Sequence, residues 1–156
     1  PPTVRAMAEL NYPLEGRCRC GETRFEVSGP PLATSACHCE GCRRMSSSAY
    51  SLTAIFPAAA FVVIAGEPVQ GGAPGEDIEH QFCPRCMSWM FTRIPSMEIV
   101  NVRPTMLDDP ALTEPFMETQ TAEKLDWVEL SVQHSFERFP DMGQIQQVIA
   151  DYAARG

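Results

Sequence analysis

Seven cysteines are the residues of this chain whose type and spacing point most directly to chemistry. They fall in three tight clusters: Cys18-Arg-Cys20, Cys37-His-Cys39-Glu-Gly-Cys42 and Cys83-Pro-Arg-Cys86. Their total is odd, and Pro1–Tyr12 has no apolar stretch of the kind that an export signal needs, so a disulfide framework is not expected. Closely spaced thiolates are what tetrahedral Zn²⁺ requires, and we expect zinc binding in a reducing, cytoplasmic setting. An iron–sulfur cluster or a redox-active dithiol is the alternative.

The number of cysteines suggests two kinds of zinc site. A closed structural zinc takes four protein ligands, whereas a catalytic zinc keeps three and leaves one position open. The two outer pairs would then hold a structural zinc, and the central cluster would hold a second, labile zinc with a catalytic role. Spacing leaves other groupings open, such as Cys18 and Cys20 with two of the central three. Cys18 and Cys20 are expected on one side of a strand, and His38 is expected to face away from its cysteine neighbours and to support the site.

The composition of the chain excludes several classes of function. Its 156 residues suit one domain, and 44% of them are hydrophobic, as in ordinary globular proteins. The net charge of −8 argues against broad binding of nucleic acid, because the phosphate backbone would be repelled. The longest apolar run, Ala54–Ala65, is interrupted by Pro57 and is far shorter than the roughly 20 residues of a membrane span. We therefore expect neither nucleic acid nor a membrane as a partner.

The elements that must position the cysteines are expected to be mainly β-strands. Fourteen prolines and ten glycines, spread along the chain, favour short elements joined by turns. Runs rich in strand formers predict strands at Thr23–Val27, Tyr50–Phe56, Phe61–Ala65, Met97–Val102 and Trp127–Val132. Ile78–Phe82 and Trp89–Ile94 flank the last cysteine pair and predict a hairpin, and Gly66–Asp77 predicts a loop. Asp108-Asp-Pro110 predicts a turn or the start of a helix.

One amphipathic helix is predicted at the C-terminus. Ile145, Val148, Ile149 and Tyr152 follow the spacing of a single apolar face. Asp141 is a suitable N-cap, with Gln144 three residues later as in a capping box. The apolar face is expected to cover the chain's own sheet, and the alternative is a homo-oligomer contact through this helix.

In order and spacing, the three cysteine motifs resemble the glutathione-dependent formaldehyde-activating enzyme family, which includes the centromere protein V domain. The matching segments are Cys18-Arg-Cys-Gly21, Cys37-His-Cys-Glu-Gly-Cys-Arg43, Phe82-Cys-Pro-Arg-Cys86 and Met106-Leu-Asp-Asp-Pro110. The resemblance implies a mainly β fold, a β-tent of antiparallel strands around a structural zinc held by Cys18, Cys20, Cys83 and Cys86. It also implies an open zinc at Cys37, Cys39 and Cys42. The chain then divides into an N-terminal extension (1–13), a zinc-binding domain (14–140) and the C-terminal helix (141–156).

Two positions depart from the family pattern. Met87 stands where the family commonly has glycine after the last cysteine. If this position requires positive φ, a residue other than glycine costs on the order of 1 kcal/mol. Ser46-Ser-Ser48 stands where the family has glycine shortly after the central motif, which bears on the shape of the substrate pocket.

The resemblance implies a zinc-dependent carbon–sulfur lyase that forms or cleaves S-hydroxymethylglutathione from glutathione and formaldehyde. Zinc held by three thiolates suits an added thiolate, because that ligand is soft like the others, and Cys37, Cys39 and Cys42 are then the catalytic ligands. Arg43, Arg44 and Arg85 adjoin the motifs and could bind the carboxylates of glutathione, or merely offset thiolate charge. The alternatives are a non-catalytic, zinc-stabilised binding module and a redox or metal-buffering protein.

Overall fold

The computed structural model describes residues 9–73 and 75–155 of the chain. Residues 1–8, which make up most of the expected N-terminal extension, lie outside the described residues, as do Pro74 and Gly156. The strands are β1 (Leu14–Arg17), β2 (Arg24–Val27), β3 (Ala33–Cys37), β4 (Ser51–Pro57), β5 (Phe61–Ala65), β6 (Val69–Gln70), β7 (Glu79–Phe82), β8 (Trp89–Ile94), β9 (Ile99–Val102), β10 (Met117–Thr119) and β11 (His134–Ser135). The α-helices are α1 (Glu40–Ser46) and α2 (Met142–Ala153).

The strands form two sheets. The smaller sheet has the order β1-β2-β5, and the larger has the order β11-β10-β3-β4-β9-β8-β7-β6. Strand β10 pairs in parallel with β3 and β11, and the other pairs are antiparallel. The expectation of a mainly β fold with antiparallel sheets and a C-terminal helix is confirmed.

An aromatic core joins the two sheets. Phe25 of β2 and Phe61 of β5 pack against Phe91 of β8, with ring centroids 4.6 to 6.5 Å apart. Successive side chains of β2 point to opposite faces of the sheet. Phe25 is on the inner face and is completely buried, whereas its neighbours on β2 are exposed or half-buried. The thiols of Cys18 and Cys83 belong to the same buried cluster, so the cysteine chemistry is built into the core.

Helix α2 packs on the larger sheet. Val148 and Tyr152 are buried against Ala33 of β3 and against Phe116, so the apolar face covers the chain's own sheet. Asp141 is the N-cap, and its carboxylate accepts from the Gln144 N–H at 2.8 Å in the predicted capping box.

Several expectations for individual elements were wrong. Trp127–Val132 is not a strand: Trp127 is 75% exposed, and β11 pairs with β10 in its place. The predicted loop Gly66–Asp77 contains the short strand β6, and β1, β3, β10, β11 and helix α1 were likewise not predicted. Strand β3 is buried on both faces and shows no alternation, and the others are too short for a clear periodicity. The predicted start of a helix at Pro110 is confirmed as a short 3₁₀ turn capped by Asp109. Among the helices of residues 9–73 and 75–155, none has the length and apolar character needed to cross a membrane.

Candidate metal and thiol site

The first group of thiols lies where two turns meet. Cys18 and Cys20 follow β1, and Cys83 and Cys86 lie in the connection between β7 and β8. The Sγ atoms of Cys18 and Cys20 are 3.5 Å apart, and those of Cys20 and Cys83 are 3.7 Å apart. All four Sγ atoms lie within 4.8 Å of one another. We call these residues the four-thiol cluster.

Local backbone geometry shapes the first half of this cluster. The sequence predicted Cys18 and Cys20 on a strand, but the structure places them in a turn, because Gly21 adopts a φ of +81° and ends the extended conformation. The Gly21 N–H donates to the Cys18 carbonyl at 3.1 Å, and the Thr23 N–H donates to Cys18 Sγ at 3.3 Å. These two hydrogen bonds fix the turn and the position of the Cys18 sulfur within it.

The second half of the cluster contains the departure at Met87. Its φ is +59°, and its N–H donates to the Cys83 carbonyl at 2.9 Å, which closes the turn around the thiols. The Met87 side chain is 58% exposed, so little packing compensates for the left-handed backbone. The condition stated from the sequence, that this position has positive φ, is therefore met.

Met87→Gly is expected to raise the free energy of unfolding by about 0.5 to 1 kcal/mol, because glycine adopts positive φ without steric cost. The matched control is Met97→Gly. Met97 is also a solvent-exposed methionine at 55% exposure, but it lies in a 3₁₀ turn outside the positive-φ positions. There the added backbone freedom should lower stability by about 0.5 to 1 kcal/mol. Denaturant unfolding of both metal-loaded variants measures the difference, and equal effects at the two positions would contradict the argument.

The four-thiol cluster fits a closed tetrahedral metal site. With Zn–S bonds of about 2.3 Å, tetrahedral geometry separates the sulfur atoms by about 3.8 Å. The separations of 3.5 and 3.7 Å are close to that value. Burial acts to raise the pKa of Cys86, but hydrogen bonds to Ser88, Cys20 and Cys83 together outweigh it and lower the pKa to about 5. The cluster can therefore hold a metal ion and is consistent with zinc.

The other three cysteines form a second group, which we call the three-thiol cluster. Cys37 ends β3, Cys39 is the N-cap of α1, and Cys42 lies within that helix. The Cys42 N–H donates to Cys39 Sγ at 3.3 Å, and the three Sγ atoms lie within 4.8 Å of one another. The thiols are thus grouped as four and three, and not as Cys18 and Cys20 with part of the central motif.

Hydrogen bonds within the three-thiol cluster favour the thiolate form of Cys37. The hydrogen bond from the Cys42 thiol lowers the pKa of Cys37 to about 5. The same hydrogen bond raises the pKa of Cys42, and burial raises the pKa of Cys39. At pH 7 Cys37 is therefore ionised while the other two remain thiols, so metal binding to all three would release their protons.

His38 lies on the side of its segment that faces away from the three thiols. Its ring is completely buried, and Nε2 lies 2.7 Å from a carboxylate oxygen of Glu118 on β10. The other carboxylate oxygen accepts from Ser135 Oγ at 2.9 Å. As expected from the alternation of side chains, His38 bonds away from the thiols, and these contacts tie the end of β3 to β10 and β11.

A cavity of about 380 Å³ is lined by residues that interact with Cys42, although none of the three cysteines is itself among the lining residues. Ser46 and Ser51 line it, and both interact with Cys42. Ser46 Oγ donates to the Cys42 carbonyl at 2.7 Å. The hydrogen bond to Cys37 and burial raise the pKa of the Cys42 thiol, and the Ser51 hydroxyl acts in the opposite direction. Trp89 and Arg103 form another part of the wall. The volume lies within the range of small-molecule sites.

Sequence reasoning missed Arg103 and proposed other arginines. Arg44 is exposed and pairs with Glu40 at 2.8 Å on the surface of α1. Arg85 is exposed in the turn of the four-thiol cluster, and Arg43 is half-buried on α1. Arg103, by contrast, is 7% exposed and lines the cavity. Its only sequence signal is its place at the end of a predicted strand, which does not distinguish it from other arginines.

Known proteins resemble this chain in sequence and in fold. The sequence model of the glutathione-dependent formaldehyde-activating enzyme family matches residues 13–123. A protein of Halomonas elongata, provisionally named a glutathione-dependent formaldehyde-activating enzyme, is 31% identical over 159 residues, which cover 91% of this chain and 95% of that protein. A crystal structure of a Rhodobacter sphaeroides protein superposes with a TM-score of 0.51 at 22% identity, covering 60% of this chain and 87% of that one. This last likeness concerns the fold.

Proposed function

The chain belongs to the glutathione-dependent formaldehyde-activating enzyme family, and we propose that it is a zinc-dependent carbon–sulfur lyase acting on the adduct of a small thiol and an aldehyde. The observation that carries the proposal is the three-thiol cluster, whose Cys42 interacts with Ser46 and Ser51 of a cavity wall. Three ligands leave one position of a tetrahedral metal for an added group, and the cavity has room for a small molecule. The family's name makes glutathione and formaldehyde the first pair to test.

The two clusters would have different roles. The four-thiol cluster would hold a structural zinc, and Cys37, Cys39 and Cys42 would hold a second one. Zinc bound by three cysteines supplies a position at which an added thiol loses its proton and reacts as a thiolate. His38 and Glu118 fix the segment that carries Cys37 and Cys39, so the cluster keeps its shape when the added thiol enters.

The reaction is a balanced addition without a change of oxidation state. The sulfur of the thiolate bonds to the aldehyde carbon, the electron pair of the carbonyl π-bond moves to oxygen, and this oxygen takes up the proton released by the thiol. The reverse reaction breaks the same carbon–sulfur bond. Tyr50 lines the cavity and supplies a hydroxyl donor for the oxygen on which negative charge develops.

Glutathione is expected to bind to the protein loaded with two metal ions per chain and to release a proton near neutral pH, because a free thiol has a pKa of about 8.5 and only the thiolate is a ligand. Cobalt(II) in place of zinc makes binding visible as a change in the ligand-field spectrum. The kinetic measurement is the rate of adduct formation between thiol and formaldehyde, relative to the uncatalysed reaction. Because Ser46-Ser-Ser48 shapes one wall of the cavity, a panel of small thiols accompanies glutathione.

S-methylglutathione is the matched control, since it has the same shape but no thiol and should leave the cobalt spectrum unchanged. If no thiol changes the spectrum or accelerates the reaction in protein shown to hold both metal ions, the proposed activity is wrong. A non-catalytic, zinc-stabilised binding module would then be the better interpretation.

A further inference from the structure

A buried arginine without a carboxylate partner lines the cavity beside the three-thiol cluster. Arg103 follows β9, and its side chain is 7% exposed at the cavity wall. Among residues 9–73 and 75–155, no carboxylate pairs with it, and its Nε atom has no hydrogen-bond partner. Burying a guanidinium with an unused donor is costly. Nε itself is enclosed by protein, so a group in the cavity would bind to the terminal nitrogens of the guanidinium.

The surrounding protein holds this guanidinium in place while leaving its donors available. The guanidinium carbon lies 4.1 Å from the centroid of the Trp89 ring, a cation–π contact that occupies a face of the planar group and not its N–H edges. The Arg103 N–H donates to the Met90 carbonyl at 2.9 Å, which fixes the backbone. Trp89 is itself held by a hydrogen bond from Nε1 to Thr92 Oγ1 at 3.2 Å.

Arg103 remains a cation under working conditions. Burial lowers the pKa of Arg103 to about 10, although negative charge on the three-thiol cluster acts to raise it. The group therefore carries its charge at pH 7. In a chain of net charge −8, an anionic small molecule needs such a local positive group in order to bind.

We propose that Arg103 binds a carboxylate of the thiol substrate, and that the substrates of this site are therefore carboxylate-bearing thiols. This inference rests on the proposed function, since it assumes that a thiol reaches the three-thiol cluster. A planar guanidinium with free edge donors matches a carboxylate through paired hydrogen bonds. The hydroxyls of Ser48 and Thr105 line the same cavity and can donate to the oxygens that Arg103 leaves unpaired.

The test compares two thiols that differ only in this group, N-acetylcysteine and N-acetylcysteine amide. Their dissociation constants are measured with the cobalt-loaded protein, and each is corrected for the thiolate fraction of the free thiol. The wild-type protein should bind the carboxylate form about 10- to 100-fold more tightly, as expected for hydrogen bonds to a charged group. Arg103→Gln should abolish this preference by weakening only the carboxylate form, and Arg103→Lys should restore it in part.

Arg93→Gln is the matched control. Arg93 also lies over aromatic rings, at 5.3 Å from Phe61 and 5.2 Å from Phe91, but it is not part of this cavity. That variant should keep the wild-type preference.

Two results would overturn the inference while leaving the proposed function in place. Either thiols bind the wild-type protein without preference, or Arg103→Gln weakens both thiols equally, and Arg103 then only offsets thiolate charge. If neither these two thiols nor glutathione binds, both fall together. The wild-type comparison requires no variant, so poor folding of Arg103→Gln leaves the inference testable.

Discussion

Replacing Cys83 with serine is expected to unfold most of the domain at temperatures at which the wild-type protein is folded. The Cys83 side chain is completely buried in the core cluster that also contains Phe25 and Phe91. The proposed structural zinc would link the turn after β1, in the smaller sheet, to the turn between β7 and β8, in the larger sheet. Serine leaves that zinc with three sulfur ligands and an oxygen in the apolar core.

The size of the effect follows from two magnitudes. Structural zinc contributes about 10 to 16 kcal/mol to the folding of small zinc peptides. The whole stability of an ordinary domain is about 5 to 15 kcal/mol, so losing most of the contribution from zinc is enough to abolish folding. Metal analysis and thermal melting measure the outcome. Removing zinc from the wild-type protein with a chelator should have the same effect, whereas Cys83→Ser should respond little to the chelator.

Ala54→Ser is the control for placing a hydroxyl in this core. Ala54 is also completely buried in the core cluster, but it has no part in either group of thiols. An unpaired buried hydroxyl costs about 1 to 3 kcal/mol, so this variant should melt earlier than the wild type yet fold and retain its zinc. A Cys83→Ser protein that melts like Ala54→Ser and keeps all its zinc would contradict the assignment of a structural zinc to the four-thiol cluster.

The metal-binding character of the cysteine motifs is easier to predict from the sequence than the short strands that position these motifs. The spacing within each cysteine motif indicates metal binding and is a local property, but it leaves open which motifs share a metal. The family resemblance implied the division into four and three, and the structure brings the thiols together in those groups. Strands such as β1 and β10 are three or four residues long and carry a mixture of residue types, so periodicity does not detect them. Trp127–Val132 is rich in strand formers, but Val128 is its only buried residue, and β11 is the strand that pairs with β10.

The cavity shows why the rest of the site could not be predicted. Its wall combines the end of α1, the start of β4, Trp89 of β8 and Arg103 after β9, so it exists only once the larger sheet has assembled. No spacing in the sequence connects Arg103 with Cys42. The arginines next to the cysteine motifs were better candidates by proximity along the chain, yet Arg44 is engaged with Glu40 and Arg85 is exposed at the four-thiol cluster.

Replacing Cys39 with serine is expected to remove the proposed activity and one metal ion while the fold survives. Cys39 is half-buried and lies outside the core cluster that contains Cys18 and Cys83. Its structural task is to cap α1, where Sγ accepts the Cys42 N–H at 3.3 Å. Serine is among the best N-cap residues, so Cys39→Ser retains the helix start while losing the soft ligand. The two roles of this residue are thereby separated.

Zinc per chain, thermal melting and the rate of thiol–formaldehyde adduct formation measure the outcome. Cys39→Ser should hold one zinc, show a rate near that of the uncatalysed reaction, and fail to bind glutathione. Its free energy of unfolding should match that of wild-type protein with only the four-thiol cluster loaded, because the second metal stabilises the fold only through its own binding. Cys83→Ser and Cys39→Ser are the same chemical change in two clusters, so equal loss of folding in both would show that the seven thiols form one structural unit. Retention of two zinc ions and full activity in Cys39→Ser would instead place the reaction outside the three-thiol cluster.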